Sequence, residues 1–381
     1  MTTPELFATT PETLLNAQRL AALPATSTHA LPPVDWQKLG VADDRIPTAV
    51  SLTDWQANSP FPEADVAVIT WTSAEWAAMN QVLTNRREPL TPEQAKGHDW
   101  RHGWEKYQRN YCQIHQYMVD VSKTYQGGAP SLYDQAWGSV RMVTIGELKV
   151  LLVKSGMHLA QDGTNLPLIQ LVDQLCQEAR PRLVLSIGTA GGVREEDALG
   201  SALITNQAYF HCLKHFANAA FNHSTVQSHW QPGEHYLPQA QEGVIQIPGP
   251  EILPVSPQYP AGAHISPNAP NSRIKVVADQ PIITTDTFLF GTTTNGLQQY
   301  GCIVEMDDAV VGMACEKHQV AYGFVRNVSD PVINGQLPDS LQDSWAGYIY
   351  REQGLYTSYN GALATWALLA TEADRQEAHH D

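Results

Sequence analysis

Three observations predict an α/β fold with a mixed central sheet flanked by helices. Short apolar runs of strand length alternate with segments of helical pattern along most of the chain. One of these runs enters a glycine-rich turn, Ser186-Ile187-Gly188-Thr189-Ala190-Gly191-Gly192, whose small residues let backbone amides come close to a ligand. Two acidic clusters, Val304-Glu305-Met306-Asp307 and Val328-Ser329-Asp330, lie at the ends of regular elements. In α/β sheets, ligands bind at the carboxyl ends of the strands.

In chain order, residues 1–60 read as an arm, with a short helix over 12–22 followed by a proline-rich stretch. The core begins at Ala64. Val66-Ala67-Val68-Ile69 suits a buried strand, Ser73 an N-cap, and 74–83 a helix with Ala, Trp and Met on one face. Residues 85–140 read as an inserted helical excursion, because Trp100, Trp104, Tyr107 and Tyr111 recur at roughly helical spacing. These aromatics read as the buried face of that helix, with a lid or a subunit contact as the alternative. A strand over 148–153, a helix over 166–176 and strands over 183–187 and 202–205 follow. Residues 211–272, rich in Pro, His, Gln and Asn, read as a second insertion of long loops. The core pattern resumes with a strand over 274–277, and Asp286 or Thr287 caps a helix. Next come a strand at 303–304, a helix over 309–318, a strand over 321–325 and a last helix over 361–371. Residues 61–371 therefore read as one domain with two insertions, and 372–381 as a tail that frays at its end.

The chain has 381 residues, 43% of them hydrophobic, enough for a large core. A net charge of -16 repels phosphate backbones, which argues against a nucleic-acid partner. No apolar run approaches membrane-span length, and the N-terminus lacks the basic and apolar regions of a signal peptide. Five scattered cysteines (Cys112, Cys176, Cys212, Cys302 and Cys315) have no CxxC spacing and suit a cytoplasmic thiol protein. His211 and His215, like His98 and His102, have the i, i+4 spacing of helical metal ligands. Neither pair has an HExxH setting, and no metal or cofactor is expected.

The order of these pieces resembles the nucleoside phosphorylase and nucleosidase superfamily, most closely the nucleosidases acting on methylthioadenosine and S-adenosylhomocysteine. The resemblance covers roughly residues 65–80, 143–210 and 273–370, about half of the chain. It implies a nucleoside phosphorylase-like fold, a homo-oligomer and a small nucleoside as substrate. The turn 186–192 looks like the family's glycine turn, so Thr189, Ala190 and Gly191 would line the substrate. Thr284-Thr285-Asp286-Thr287-Phe288 looks like its base-stacking segment, with Phe288 against the purine. Glu305-Met306-Asp307 looks like its ribose-binding segment, with Met306 packed on the sugar. Ser329-Asp330 looks like its catalytic acid, with Asp330 protonating N7. Glu75 matches the glutamate that activates water. The chain departs from the pattern at Asp307, where the family usually has the longer Glu. It departs again at Thr70-Trp71, where a glycine is usual, and at His158, which stands at the second glycine of a Gly-x-Gly.

The chemistry needs these groups. An N-glycosidic bond breaks through an oxocarbenium-like sugar, and the base leaves better when protonated, a general-acid contribution of about 10²–10⁴-fold. An Asp that keeps its proton near neutral pH needs a dry pocket. Phosphorylases of the family usually carry an Arg after the first strand and another three residues before the Ser or Thr of the glycine turn. Here the first loop, 70–75, has no Arg and ends in Glu75, and the second position is Ser186. A carboxylate repels a phosphate dianion, so hydrolysis is the expected reaction. Two alternatives stay open. One is a phosphate-dependent phosphorylase whose Arg comes from elsewhere, Arg141, Arg194 or a neighbouring subunit. The other is a non-catalytic nucleoside-binding protein of the same fold. Taken singly, Glu75 also reads as a helix-dipole residue, Asp330 as a turn residue before Pro331, and Met306 and Phe288 as core.

Overall fold

A computed structural model describes residues 30–96, 99–111, 136–160, 166–247 and 271–378. The expected helix over 12–22 and His98 lie outside these residues. Thirteen strands among the described residues form one mixed sheet. They are β1 (Thr48–Val50), β2 (Val66–Thr70), β3 (Glu105–Tyr107), β4 (Gly138–Ile145), β5 (Leu148–Ser155), β6 (Leu183–Gly192), β7 (Ala202–Thr205), β8 (Gln207–Phe210), β9 (Thr225–Gln227), β10 (Ile274–Val276), β11 (Ile282–Thr284), β12 (Ile303–Glu305) and β13 (Ala321–Asp330). The main path runs β1-β4-β5-β2-β6-β12-β11-β8-β9, and β13 lies beside β6 and β7. The runs expected at 183–187, 303–304 and 321–325 therefore share one sheet.

Among the described residues six α-helices accompany it: α1 (Ser73–Leu83), α2 (Pro92–Lys96), α3 (Pro167–Glu178), α4 (Leu237–Gly243), α5 (Asp308–Lys317) and α6 (Asp339–Ala378). The central strands β2, β6 and β13 are buried along both faces, so they read as continuous apolar runs rather than alternating ones. One face carries α3 and α5, whose Leu168, Leu171, Leu175, Val310 and Val311 pack with Phe324 and Val328. The other carries α1 and α6, where Met79, Val82, Leu363 and Trp366 pack with Val66, Val68, Leu185 and Val325. The result is three layers, with the sheet in the middle.

Several local expectations are corrected by tertiary contacts. The N-cap of α1 is Thr72, not Ser73: Thr72 Oγ1 accepts the Glu75 amide at 3.4 Å, and Glu75 Oε2 accepts the Thr72 amide at 2.7 Å, a capping box. Residues 48–50, read as arm, form an edge strand on β4. The aromatics at 100–111 share no helix. Trp100 lies on a 3-10 turn and Tyr107 on β3, while Trp100 and Trp104 meet Trp76 of α1 edge-on at 4.6 and 5.3 Å. No helix follows Asp286. Its carboxylate instead takes the backbone amides of Leu213, Lys214 and Phe216 at 2.8, 3.1 and 2.7 Å, tying the second insertion to β11. That insertion includes β9 and α4 rather than loops alone. The last helix is 40 residues long, not the stretch 361–371, and it reaches Ala378 with Glu377 paired to Arg45 at 2.6 Å. Among the described residues, no helix is long and apolar enough to cross a membrane.

Candidate active site

Strand β6 changes partners along one edge, and the site forms at the change. β13 follows its other edge from Leu183 to Gly191. On the first edge, β2 pairs with Leu183–Ser186 and β12 with Gly191 and Gly192, leaving 187–190 between them. The ends of β2, β12 and β13 thus meet at the glycine turn, and backbone groups there must find other partners.

Glu75 fills the gap. Its Oε1 accepts the Thr189 amide at 2.7 Å and the Thr189 hydroxyl at 2.6 Å. Its Oε2 accepts the Trp71 and Thr72 amides at 3.0 and 2.7 Å and the Thr70 hydroxyl at 3.3 Å. The glutamate expected to serve chemistry therefore also locks α1 to β6.

Arg326 lies at the centre, and sequence reasoning missed it. It stands opposite Gly188 in the β13–β6 register. A Cβ on Gly188 would come within 2.5 Å of Arg326 Nη1 and 2.9 Å of Glu75 Oε1, so only glycine leaves room for the guanidinium. Asp308 grips it in bidentate fashion, Nε to Oδ2 at 2.9 Å and Nη2 to Oδ1 at 2.5 Å, and Glu305 Oε2 lies 2.8 Å from Nη2. Ser186 donates to Asp308 Oδ1 at 2.5 Å. Burial works against the Arg326 charge, but Asp308 and Glu305 more than offset it and raise its pKa. Burial pushes Glu305 up to about 7, with Asp308 adding to the effect and Arg326 opposing it. Glu305 further accepts the Thr284 hydroxyl and the Asp307 amide, the latter at 2.6 Å. The strongest sequence signal for this cluster was the third acid of Glu305-Met306-Asp307-Asp308, which the reading stopped short of.

Asp307 faces the turn after β5. Its Oδ1 accepts the Leu159 amide at 3.0 Å and lies 3.2 Å from His158 Nδ1. Burial, then Arg326 and Lys154, lower His158 to about 3, so the contact joins a neutral imidazole to the carboxyl and is not an ion pair. Burial, then Glu305, raises Asp307 well above the usual range. Met306, half-buried, sits between Glu305 and Asp307 as β12 ends.

Asp330 ends β13 beside Gly191. The Ser329 hydroxyl lies 2.8 Å from its Oδ1 and 3.3 Å from the Ala190 carbonyl. Its Oδ2 is buried and has no hydrogen-bond partner among the described residues. Burial pushes Asp330 up to about 6, against the pull of Ser329. A Cβ on Gly191 would lie 2.8 Å from that Oδ2 and 3.5 Å from Phe290 Cα, so the segment carrying Phe288 crosses the same turn. Phe288 is half-buried with Phe290 against Leu199, Ile333, Leu337 and Ile349.

Other candidates fall elsewhere. Arg141 donates to the His102 carbonyl at 2.6 Å and to Asn80 Oδ1 of α1 at 3.4 Å, and Arg194 stands near Cys302 and Asp197. His211 and His215 lie in turns without a helix, and His211 stacks on Tyr300 at 4.6 Å. Two surface grooves, of about 630 and 520 Å³, are lined by residues such as Trp36 and Arg87, and Arg182 and Trp230. Neither includes the carboxylates at the glycine turn, and it is the chemistry there that marks the site.

A family model described as the phosphorylase superfamily matches residues 125–344, more than half of the chain. The chain belongs to the phosphorylase superfamily and is an enzyme of that group. The expected family and the expected mixed sheet flanked by helices are both borne out. No curated protein matches the chain. Among solved structures it is similar to the 5'-methylthioadenosine/S-adenosylhomocysteine nucleosidase of Neisseria meningitidis in complex with methylthio-immucillin-A. That likeness has 13% identity and a TM-score of 0.43, covering 80% of this chain and 98% of that one. It is also similar to the 5'-methylthioadenosine nucleosidase of Arabidopsis thaliana in apo form, at 15% identity and a TM-score of 0.45, covering 82% and 96%. The nucleosidase of Helicobacter pylori with butyl-thio-DADMe-Immucillin-A gives 12% identity and a TM-score of 0.46, covering 82% and 99%. At these scores no residue role is carried across.

Proposed function

We propose that the protein hydrolyses the N-glycosidic bond of a purine nucleoside. The observation that carries this reading is Asp330: a buried carboxyl, raised to about 6, with one oxygen unpartnered at the glycine turn. An acid so held keeps its proton up to about pH 6, well above an ordinary Asp, and can pass it to a base. In the proposed step Asp330 protonates N7 as the bond to the sugar breaks, Phe288 stacks on the purine, and Met306 packs on the sugar. Asp307 holds the sugar, and Thr189, Ala190 and Gly191 line it. Water attacks the sugar cation from the other side and gives its proton to Glu75. The Thr189 hydroxyl, which can rotate away from Glu75 Oε1, is the partner that water replaces. Glu305 and Ser329 hold the ribose segment and the acid in place.

Water rather than phosphate is supported by the electrostatics. Arg326 is already paired with Asp308 and Glu305, and Glu75 sits beside it. Arg141 is held by the His102 carbonyl and Asn80, and Arg194 lies near Cys302, away from the glycine turn. A phosphate dianion would enter a region of carboxylates in which the one guanidinium at the glycine turn among the described residues is already paired. The family resemblance of its motifs supports a homo-oligomer, and the scattered cysteines without CxxC spacing support a cytoplasmic location. Incubating the pure protein with a purine nucleoside panel, with and without phosphate, tests the reaction. Free ribose or a 5'-substituted ribose is expected in both cases. Ribose 1-phosphate formed only with phosphate would turn the assignment to a phosphorylase, and no base release would turn it to a binding protein.

A further inference from the structure

The sugar side of the site carries an arrangement that sets what it can recognise. Asp307 leaves β12 as a short carboxylate whose Oδ1 already accepts the Leu159 amide at 3.0 Å and lies 3.2 Å from His158 Nδ1. Both partners belong to the turn after β5, which reaches across the end of β2 to meet β12. The turn is held in place. Ser155 Oγ bonds the Met157 amide and carbonyl at 2.9 and 2.7 Å, and Met157 and Leu159 are buried in the core. The His158 ring meets Trp71 edge-on at 6.2 Å, and Trp71 lies under the Arg326 guanidinium at 5.9 Å. Trp71, His158 and Asp307 therefore form one wall of the site. In that wall the buried Trp71 Nε1 has no hydrogen-bond partner among the described residues, a second polar atom open to a ligand.

We propose that Asp307 grips one sugar hydroxyl, not two, because the Leu159 amide takes one lone pair of Oδ1 and the His158 ring, 3.2 Å away, covers the other. This rests on the nucleoside reading above. A carboxylate can hold a vicinal diol only by presenting both oxygens, and Asp is too short to swing round a fixed backbone amide. His158 is then a positioning residue for specificity. The substrate class widens to purine nucleosides that lack one of the two ring hydroxyls. A hydrogen bond to a charged group that is lost costs roughly 10- to 150-fold in affinity, so the two geometries are easily separated.

The test is calorimetric binding of adenosine, 2'-deoxyadenosine and 3'-deoxyadenosine to the Asp330→Asn protein, with and without Asp307→Ala. With a single-hydroxyl grip, Asp307→Ala weakens adenosine and one deoxynucleoside by the same factor, about 10-fold or more, and leaves the other deoxynucleoside within about twofold. His158→Gly, which uncovers the second lone pair of Oδ1 while the Leu159 amide stays bonded, then makes both deoxynucleosides sensitive to Asp307→Ala. Sensitivity of both deoxynucleosides in the protein with His158 intact overturns the proposal. So does a His158→Gly variant that leaves the pattern unchanged. Failure of the wild-type protein to release base sinks the hydrolase reading separately, and the dissociation constants still decide this one.

Discussion

Replacing Glu75 by Gln changes one atom and turns an acceptor into a donor inside a site built of donors. The carboxylate accepts from the Thr189, Trp71 and Thr72 amides and from the hydroxyls of Thr189 and Thr70. Amide N–H groups cannot reverse their role, but hydroxyls can rotate. The new NH2 therefore does least harm at the Oε1 position, where it confronts a single backbone N–H, that of Thr189. That leaves one buried donor unpaired, a cost of about 1–3 kcal/mol. The bonds at the other oxygen lose their charge assistance, which roughly halves them and adds about 2 kcal/mol. A loss of about 3–5 kcal/mol of folding stability is expected, together with loss of turnover. Urea unfolding followed by circular dichroism measures it. Thr189→Val is the control: it removes only the hydroxyl and is expected to cost about 1 kcal/mol, because the amide remains. A Glu75→Gln protein within about 1 kcal/mol of the parent would refute the claim that this carboxylate joins α1 to the glycine turn.

Asp330→Asn is expected to lower turnover by about 10²–10⁴-fold with little change in nucleoside binding, read from single-turnover base release. Burial raises Asp330 to about 6, so its active acid form is lost as pH rises through that value. The wild-type rate should decline on the alkaline side with an apparent value near 6. A decline that is absent, or unchanged in a slow Asp330→Asn protein, would remove Asp330 as the acid. The same shift has a stability consequence: the fold holds this proton more tightly than the unfolded chain. The contribution is complete below 3.8 and is lost as pH rises through about 6, so the stability slope between these values should be shallower in Asp330→Asn than in the parent, where Glu305 and Asp307 also contribute. Asp308→Ala leaves Arg326 short of its bidentate partner in a buried place and should cost about 3–5 kcal/mol; a near-neutral result would mean Glu305 alone suffices. Gly188→Ala puts a methyl 2.5 Å from Arg326 Nη1 and should destabilise by about 1–3 kcal/mol, and a midpoint matching the parent would show that the guanidinium can move aside.

The strands at the centre were legible because they are buried on both faces and so read as unbroken apolar runs, as in 66–69, 183–187 and 321–325. The glycine turn and Asp330 were legible for a related reason: a strand that ends in small residues or acids marks the rim of a sheet. The edge strands β1 and β3 were not, since three residues with exposed positions carry no periodic signal. The early part of α6 was missed because its sequence is polar and mixed, and its position depends on packing with α1 and β13 rather than on its own pattern.

What the sequence determined by itself was the layer order, the segments that reach the site, and the acids at their ends. Only the tertiary structure decided what those acids do to one another. Arg326 hides in an apolar strand, where a lone Arg reads as the last polar residue before a turn; its burial becomes visible only when Gly188 stands opposite and Asp308 arrives from α5. Asp286 looked like a helix cap until the amides of 213–216, some seventy residues earlier, took its carboxylate. Asp307 looked free to hold a sugar until the turn after β5 claimed one oxygen. Local pattern reports which residues lie on an element. Charge pairing and burial depend on distances between elements far apart in the chain, and those exist only once the sheet has assembled.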